Sequence, residues 1–201
     1  MKKIIYIFFV CIAFLAGCNL FSTRTPETPI NKKSSYVPPT SSDIVIKNLQ
    51  ASIAEKNVDD YISCLSEFSD ISGSSKFTFK PTSDVFAAYA SIFQNWNLDA
   101  ERKYFNTMIN RIPNDIVPDL KLFNQQTIAL QPDSVMYAFD YILNVQHSLE
   151  GAPKIVSGTM QLTIILKQAT GLWSISTWID TKSSNDTIPY SWSWLKVKFF
   201  N

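Results

Sequence analysis

The sequence predicts an α+β domain, with amphipathic helices first and then a strongly curved antiparallel sheet of four to five strands on which they pack. Two observations carry this. From Asp43 to Ile112 the apolar residues recur at three- and four-residue spacing, and from Leu120 to Ile179 at a spacing of two. Apart from the short alternation at Phe77-Thr78-Phe79, the period changes once, so most of the helices precede most of the strands. A third observation sets the boundary: before Asp43 neither period is present.

Met1-Lys2-Lys3, the apolar run Ile4 to Ala16 and the small residues before Cys18 form a secretory leader, residues 1–17. The run is shorter than the roughly 20 residues a transmembrane helix needs. Leu15-Ala16-Gly17-Cys18 resembles the bacterial lipobox, which is cleaved just before a cysteine that receives lipid. The resemblance implies acylation of Cys18, including palmitate, a membrane held through those chains, and a place in the cell envelope. Asn19 stands where an aspartate would favour the inner membrane, which points to the outer membrane. Residues 18–42 then form a disordered tether, rich in Ser and Thr and carrying Pro26, Pro29, Pro38 and Pro39. The domain is expected over 43–201.

Ser41, Ser42 and Asp43 are N-cap candidates for a helix with Val45, Ile46, Leu49 and Ile53 on one face, ended by Glu55-Lys56-Asn57. A second short helix carries Val58, Tyr61, Ile62 and Leu65. Asp59 and Asp60 in its first turn are read as charges favoured at a helix N-terminus rather than as a catalytic pair. Ser69 to Ser75 is a polar loop. Phe77-Thr78-Phe79 alternates as a short strand and stops before Pro81. Phe86, Tyr89, Ala90 and Phe93 give a helical face. Asn97 is a plausible cap for the stripe Tyr104, Phe105, Met108, Ile109 and Ile112, which Pro113 ends.

Four strands follow, with short turns between them. Their expected inward faces are Leu120, Leu122, Asn124, Gln126, Ile128 and Leu130; Val135 to His147 by twos; Met160 to Leu166 by twos; and Trp173, Ile175, Thr177 and Ile179. Ser183 to Asp186 is a loop, and the segment from Ser191 to Phe199 an amphipathic piece packed on the sheet.

Composition excludes several chemistries. Formal net charge is +1 and falls to about −1 once Lys2 and Lys3 leave, so no basic stripe recommends nucleic acid as a partner. With Cys11 in the leader and Cys18 lipidated, Cys64 alone remains and forms no intramolecular disulfide; it reads as a small buried hydrophobe. His147 is the single histidine, which disfavours His-rich metal sites and leaves it as the one imidazole for a catalytic dyad. The five scattered glycines form no phosphate-binding loop. No metal and no cofactor is expected.

Ile53-Ala54-Glu55-Lys56-Asn57-Val58-Asp59-Asp60-Tyr61 looks like the first helix-turn-helix of the NTF2-like superfamily, and Gly171 to Asp180 like its closing strand. Trp192-Ser193-Trp194-Leu195-Lys196 resembles the tails of bacterial lipoproteins with this domain. The resemblance covers about residues 43 to 181. It implies a cone whose concave sheet face and helices can enclose a pocket, as in ketosteroid isomerase, scytalone dehydratase and SnoaL-like cyclases. Tyr104, Met108, Tyr137, Tyr141, His147 and Trp173 are the candidate pocket lining.

Strict alternation puts Asp140 and Asp180 on the outer face unless a one-residue bulge turns them inward, so the inward strand residues include no carboxylate. The expected function is therefore non-catalytic binding of a hydrophobic ligand or an envelope protein. The alternative is a small cofactor-free isomerase or hydrolase using the cone. Met136, Ile142, Ile165 and Trp178 form a candidate outer apolar face, through which superfamily resemblance implies homodimerisation, unless the Trp192-Trp194 segment covers it.

Overall fold

The computed structural model describes residues 34–67, 76–183 and 187–200. The leader, the lipid site and the first part of the tether lie outside these residues, as do the loop around Gly73 and most of the loop after Ser183.

The last part of the expected tether is fastened to the domain. Asn48 bonds both backbone groups of Val37, accepting from its N–H at 3.1 Å and donating to its carbonyl at 2.7 Å. Ser35 donates through its N–H and hydroxyl to Glu55, and Ser34 donates to Asp60 at 2.6 Å. The Pro39 carbonyl accepts from the Trp173 N–H at 2.8 Å. A polar, proline-rich stretch has no period to betray it, yet side chains from distant elements satisfy its backbone, so the folded part begins at least as early as Ser34.

Helix α1 (Ser42–Ala54) starts where Ser41 Oγ accepts from the Ile44 N–H, and it buries Val45, Leu49 and Ile53. It ends at Ala54, and the chain turns at Lys56, which adopts φ +54°, a left-handed conformation that few non-glycine residues take. The Lys56 ammonium donates to the carbonyls of Pro113, Asn114 and Ile116 at 2.9, 3.2 and 3.0 Å, tying this turn to the loop before the sheet. Helix α2 (Val58–Ser63) is capped by Asn57, which accepts from the N–H groups of Asp59 and Asp60.

Strand β1 (Thr78–Lys80) precedes helix α3 (Ser83–Phe93), and helix α4 (Leu98–Ile109) starts at its Asn97 cap. The α4 stripe is buried as the spacing predicts, with Tyr61 of α2 stacked on Phe105 at 3.9 Å. Helix α3 departs from expectation. Val85 and Phe93 are its buried residues, and Phe86, expected inward, is 44 % exposed.

Strands β2 (Asp119–Leu130), β3 (Ser134–Asn144), β4 (Ile155–Lys167) and β5 (Leu172–Lys182) form the meander. The five-stranded sheet has the order β1-β5-β4-β3-β2, antiparallel except for β1, which runs parallel to β5. The β3 inward face, Val135, Phe139, Tyr141 and Leu143, matches expectation.

Bulges change the other strands. In β2 the register slips at Asn124–Gln125 and again before Ala129, and Asn124 takes φ +53°. Gln126 pairs with Ala138 on the outer face, while Ile128 and Leu130 are 51 % and 76 % exposed at the end of an edge strand. In β5 one extra residue, Ser176, stands between the pairs Ile175–Ile164 and Thr177–Thr163. Beyond it the alternation inverts, so that Trp178 and Asp180 point inward and are buried.

Candidate functional site

The interior of the cone is occupied by the chain's own C-terminus. Helix α5 (Trp192–Phe200) buries Trp192, Ser193, Leu195, Lys196, Val197 and Phe199. A helix apolar nearly all round belongs inside a core rather than on a surface. It enters against β3 and β5. The Trp192 ring stands edge-on to Trp178 at 4.6 Å and to Tyr141 at 5.5 Å, and its Nε1 donates to the Tyr104 hydroxyl at 2.8 Å.

Two polar clusters hold α5 in place. At its N-terminus, Asp180 accepts from the Ser193 N–H at 2.7 Å, from Ser193 Oγ at 2.5 Å and from the Tyr141 hydroxyl at 2.7 Å. Tyr141 in turn accepts from the Trp192 N–H at 2.7 Å, and Ser193 Oγ accepts from the Thr82 N–H at 3.0 Å. A carboxylate over the first N–H groups of a helix is electrostatically favourable. Burial nevertheless pushes the Asp180 carboxyl above its ordinary value, against the pull of Ser193 and Tyr141. Gly158 leaves room for this cluster, because a Cβ there would meet the Thr181 carbonyl at 2.5 Å and the Tyr141 hydroxyl at 2.8 Å.

The second cluster lies one turn deeper. The Lys196 ammonium pairs with Glu101, and both side chains are fully buried. Glu101 also accepts from the Tyr61 hydroxyl at 2.6 Å and from Trp96 Nε1 at 2.5 Å. The rings of Phe79, Tyr104, Trp178 and Trp96 surround the ammonium with centroids at 4.3, 4.6, 5.0 and 5.3 Å. Cation–π attraction and one carboxylate therefore offset the desolvation of the charge. Burial still pulls the ammonium below its usual value, with Glu101 acting the other way.

These positions correct the expected site. Tyr104 and Tyr141 are buried against Trp192 of α5, and Met108 is buried beside Tyr104, whose hydroxyl donates to its sulfur at 3.3 Å. Tyr137 is elsewhere on β3, its hydroxyl 3.1 Å from Ser42 Oγ at the start of α1. His147 is buried edge-on to Phe199; Nε2 contacts the Pro153 carbonyl at 3.0 Å and Nδ1 accepts from the Leu149 N–H at 3.2 Å. Both ring nitrogens are in use in the neutral tautomer these partners select, and burial holds its pKa down. Trp173 lines a separate 200 Å³ cleft with Tyr36, Pro39, Leu65 and Leu172.

Trp178, expected on the outer face, is core, and the Ser176 bulge is the reason. Met136, Ile142 and Ile165 do lie on the outer face and are half-buried. Asp140 also faces outward, accepting from Asn124 Nδ2 and Thr159 Oγ1 at 2.8 Å each. The C-terminal Trp192 segment covers the inner face rather than this one. Cys64 is buried, donates to the Asp60 carbonyl, and has its thiol pKa pushed up by burial.

Glu101, Ser193 and Lys196 are not among the expected site residues, and Asp180, expected outward unless a bulge turned it, is turned inward by the bulge at Ser176. Glu101 sits three residues before Tyr104 on the α4 stripe, which is a legible signal of inward placement. Lys196 lies between Leu195 and Val197 in a segment with almost no polar face. Other clefts open at the surface. One of 460 Å³ runs along Pro81–Asp84 and Ile179–Lys182, and one of 440 Å³ lies beside Asp140 and Thr159. Among the described residues no three His, Cys, Asp or Glu side chains are grouped to hold a metal ion.

No protein-family model matches the chain. No curated protein matches it either. Its likeness is to solved structures. A nuclear transport factor 2 (NTF2-like) superfamily protein from Salmonella enterica superposes with a TM-score of 0.50 at 11 % identity, covering 72 % of this chain and 89 % of the other. A proposed scytalone dehydratase from Novosphingobium aromaticivorans gives 0.52 at 9 % identity, covering 74 % and 89 %. A proposed aromatic ring hydroxylase from the same species gives 0.52 at 9 %, covering 71 % and 87 %. The curved sheet, the helices on its concave side and this likeness together make the described chain an NTF2-like domain in fold.

Proposed function

We propose that this chain is an envelope lipoprotein, acylated at Cys18 and held on the outer membrane. Its NTF2-like domain binds a partner through its surface and performs no catalysis. The observation that carries the reading is α5. A fold that can enclose a pocket has its interior filled by Trp192, Leu195 and Lys196, with Glu101 and Asp180 engaged by groups of that helix. A small ligand would have to displace the helix and replace every one of those contacts, and each buried partner left unpaired costs about 1–3 kcal/mol or more.

Native mass spectrometry of the full chain extracted from membranes tests this. The expected mass is that of the acylated chain alone. A small molecule retained at one copy per chain would overturn the closed-cone reading. Labelling with a palmitate analogue should mark the full chain and leave a Cys18→Ser variant unmarked.

A cofactor-free isomerase or hydrolase is a second reading, and Asp180 favours it. This carboxyl faces inward, its pKa is raised by burial and a tyrosine hydroxyl touches it, which is how a general acid or base is tuned. Its oxygens are occupied by Tyr141 and Ser193, so turnover would require α5 to leave. Loss of a cellular phenotype in Asp180→Asn with folding and abundance unchanged would favour this reading over binding.

A further inference from the structure

Helix α3 is thinly covered. From Val85 to Phe93 it has no charged side chain. Only Val85 and Phe93 are buried, while Phe86, Ala87 and Ala88 are exposed and Tyr89 is half-buried. A surface helix ordinarily turns polar residues to water. The neighbouring segment enlarges the patch: Tyr190, 44 % exposed, stands edge-on to half-buried Trp194 at 6.0 Å, and Trp194 edge-on to Tyr89 at 5.6 Å. Exposed Lys198 follows one turn after Trp194 on α5. A Phe–Ala centre, flanking Tyr and Trp rings and a lysine at the rim suit the boundary between acyl chains and anionic headgroups.

We infer that this α3–α5 face is a second membrane contact, seating Phe86 and Ala87 at the acyl–headgroup boundary of the bilayer that holds Cys18. The inference rests on the lipid-anchored reading. What selects the bilayer as occupant is the chain between Cys18 and Ser34. Fully extended, at about 3.3–3.6 Å per residue, a chain of that length spans at most roughly 55 Å, beyond the roughly 40 Å width expected of a domain this size. An acylated Cys18 thus keeps this face within reach of the bilayer, at an effective concentration where a patch too small to bind from solution suffices. Lys198 complements lipid phosphate, and the one acidic residue of α3, exposed Asp84, stands in its first turn ahead of the Phe–Ala centre.

The test uses the acylated full chain in vesicles of phosphatidylethanolamine and phosphatidylglycerol. An environment-sensitive dye is placed at Ala87→Cys or, on the exposed β2 edge, at Thr127→Cys; Cys64 is buried and does not label. Brominated acyl chains should quench the Ala87 dye several-fold more than the Thr127 dye. Phe86→Asp, at an exposed position, should abolish that difference while the protein still floats with vesicles. Equal quenching at both sites in floating protein overturns the inference and leaves the anchor standing. Ala87 shielding that grows with protein concentration but not with brominated lipid also overturns it, in favour of a second copy of the chain. Protein that does not float overturns the anchor reading and this inference together.

Discussion

Two short apolar helices of this domain have opposite fates. Helix α5 carries Lys196 into the middle of the protein, and α3, with no charge after Asp84, leaves Phe86 and two alanines in solvent. Residue type alone places neither. Lys196 is buried because Glu101 and four rings receive its ammonium. Phe86 is exposed on the piece of α3 before Tyr89, where the backbone leaves helical geometry (φ −135°, ψ 36°) and the spacing that would align Phe86 with Phe93 is broken. Burial in this fold follows from the partners each side chain meets, not from residue type alone.

The contrast can be broken most strongly at Lys196. Lys196→Ala or Glu101→Ala leaves one buried charge unpaired and should destabilise the domain by about 3–5 kcal/mol, read from denaturant melts. Lys196→Met combined with Glu101→Gln should cost much less than Lys196→Met alone, because the glutamine carbonyl still accepts from Trp96 Nε1 while its amide donates to the Tyr61 hydroxyl. A double variant as damaged as the single would deny that the charges, rather than the shape, carry the cost.

Gly158→Ala comes next. Its Cβ would collide with the Thr181 carbonyl and displace the Tyr141 hydroxyl from Asp180, at an expected cost of about 1–3 kcal/mol. Unchanged stability would mean that the Asp180 cluster is slack.

The pH dependence separates the two polar clusters. Asp180 has a raised folded pKa, so its contribution is complete below its unfolded value of 3.8 and is lost as pH rises through the folded value. Stability of the wild type relative to Asp180→Asn should therefore increase as pH falls from about 7 towards about 4. Lys196 has a lowered folded pKa; its contribution is complete above its unfolded value of 10.5 and is lost as pH falls through the folded value. The gap to Lys196→Met should widen on the alkaline side. Urea melts from about pH 4 to about pH 11 check both.

The smallest effect belongs to α3. Phe86→Asp should change stability by no more than about 0.5 kcal/mol, as for other surface substitutions. A loss of several kcal/mol would show that Phe86 is core in solution.

Much of the fold was legible in the residues. The period change between Ile112 and Leu120 separates helices from sheet, and Ser41 and Asn97 act as caps where they stand in the chain. The β3 pattern transferred directly because that strand has bulges only in its β2 partner. The site was less legible for a physical reason. One extra residue at Ser176 inverts every side chain after it, which moves Asp180 from the outer face to the heart of the polar network and takes Trp178 off the outer apolar face. No local signal marks that residue, because the bulge is a property of pairing with β4. Likewise the helical face assigned through Phe86, Tyr89, Ala90 and Phe93 presumes one unbroken helix, and the chain leaves helical geometry at Tyr89. Glu101 could have been read from its place on the α4 stripe.

The central claim is that α5 closes the cone as part of the core. Amide hydrogen exchange at Trp192 and Ser193, whose N–H groups bond Tyr141 and Asp180, tests it most directly. The account predicts exchange as slow as that of the central β3 and β4 amides, through global unfolding alone. Exchange at these two amides orders of magnitude faster than in β3 and β4 would show a helix that leaves the cone, and would contradict it.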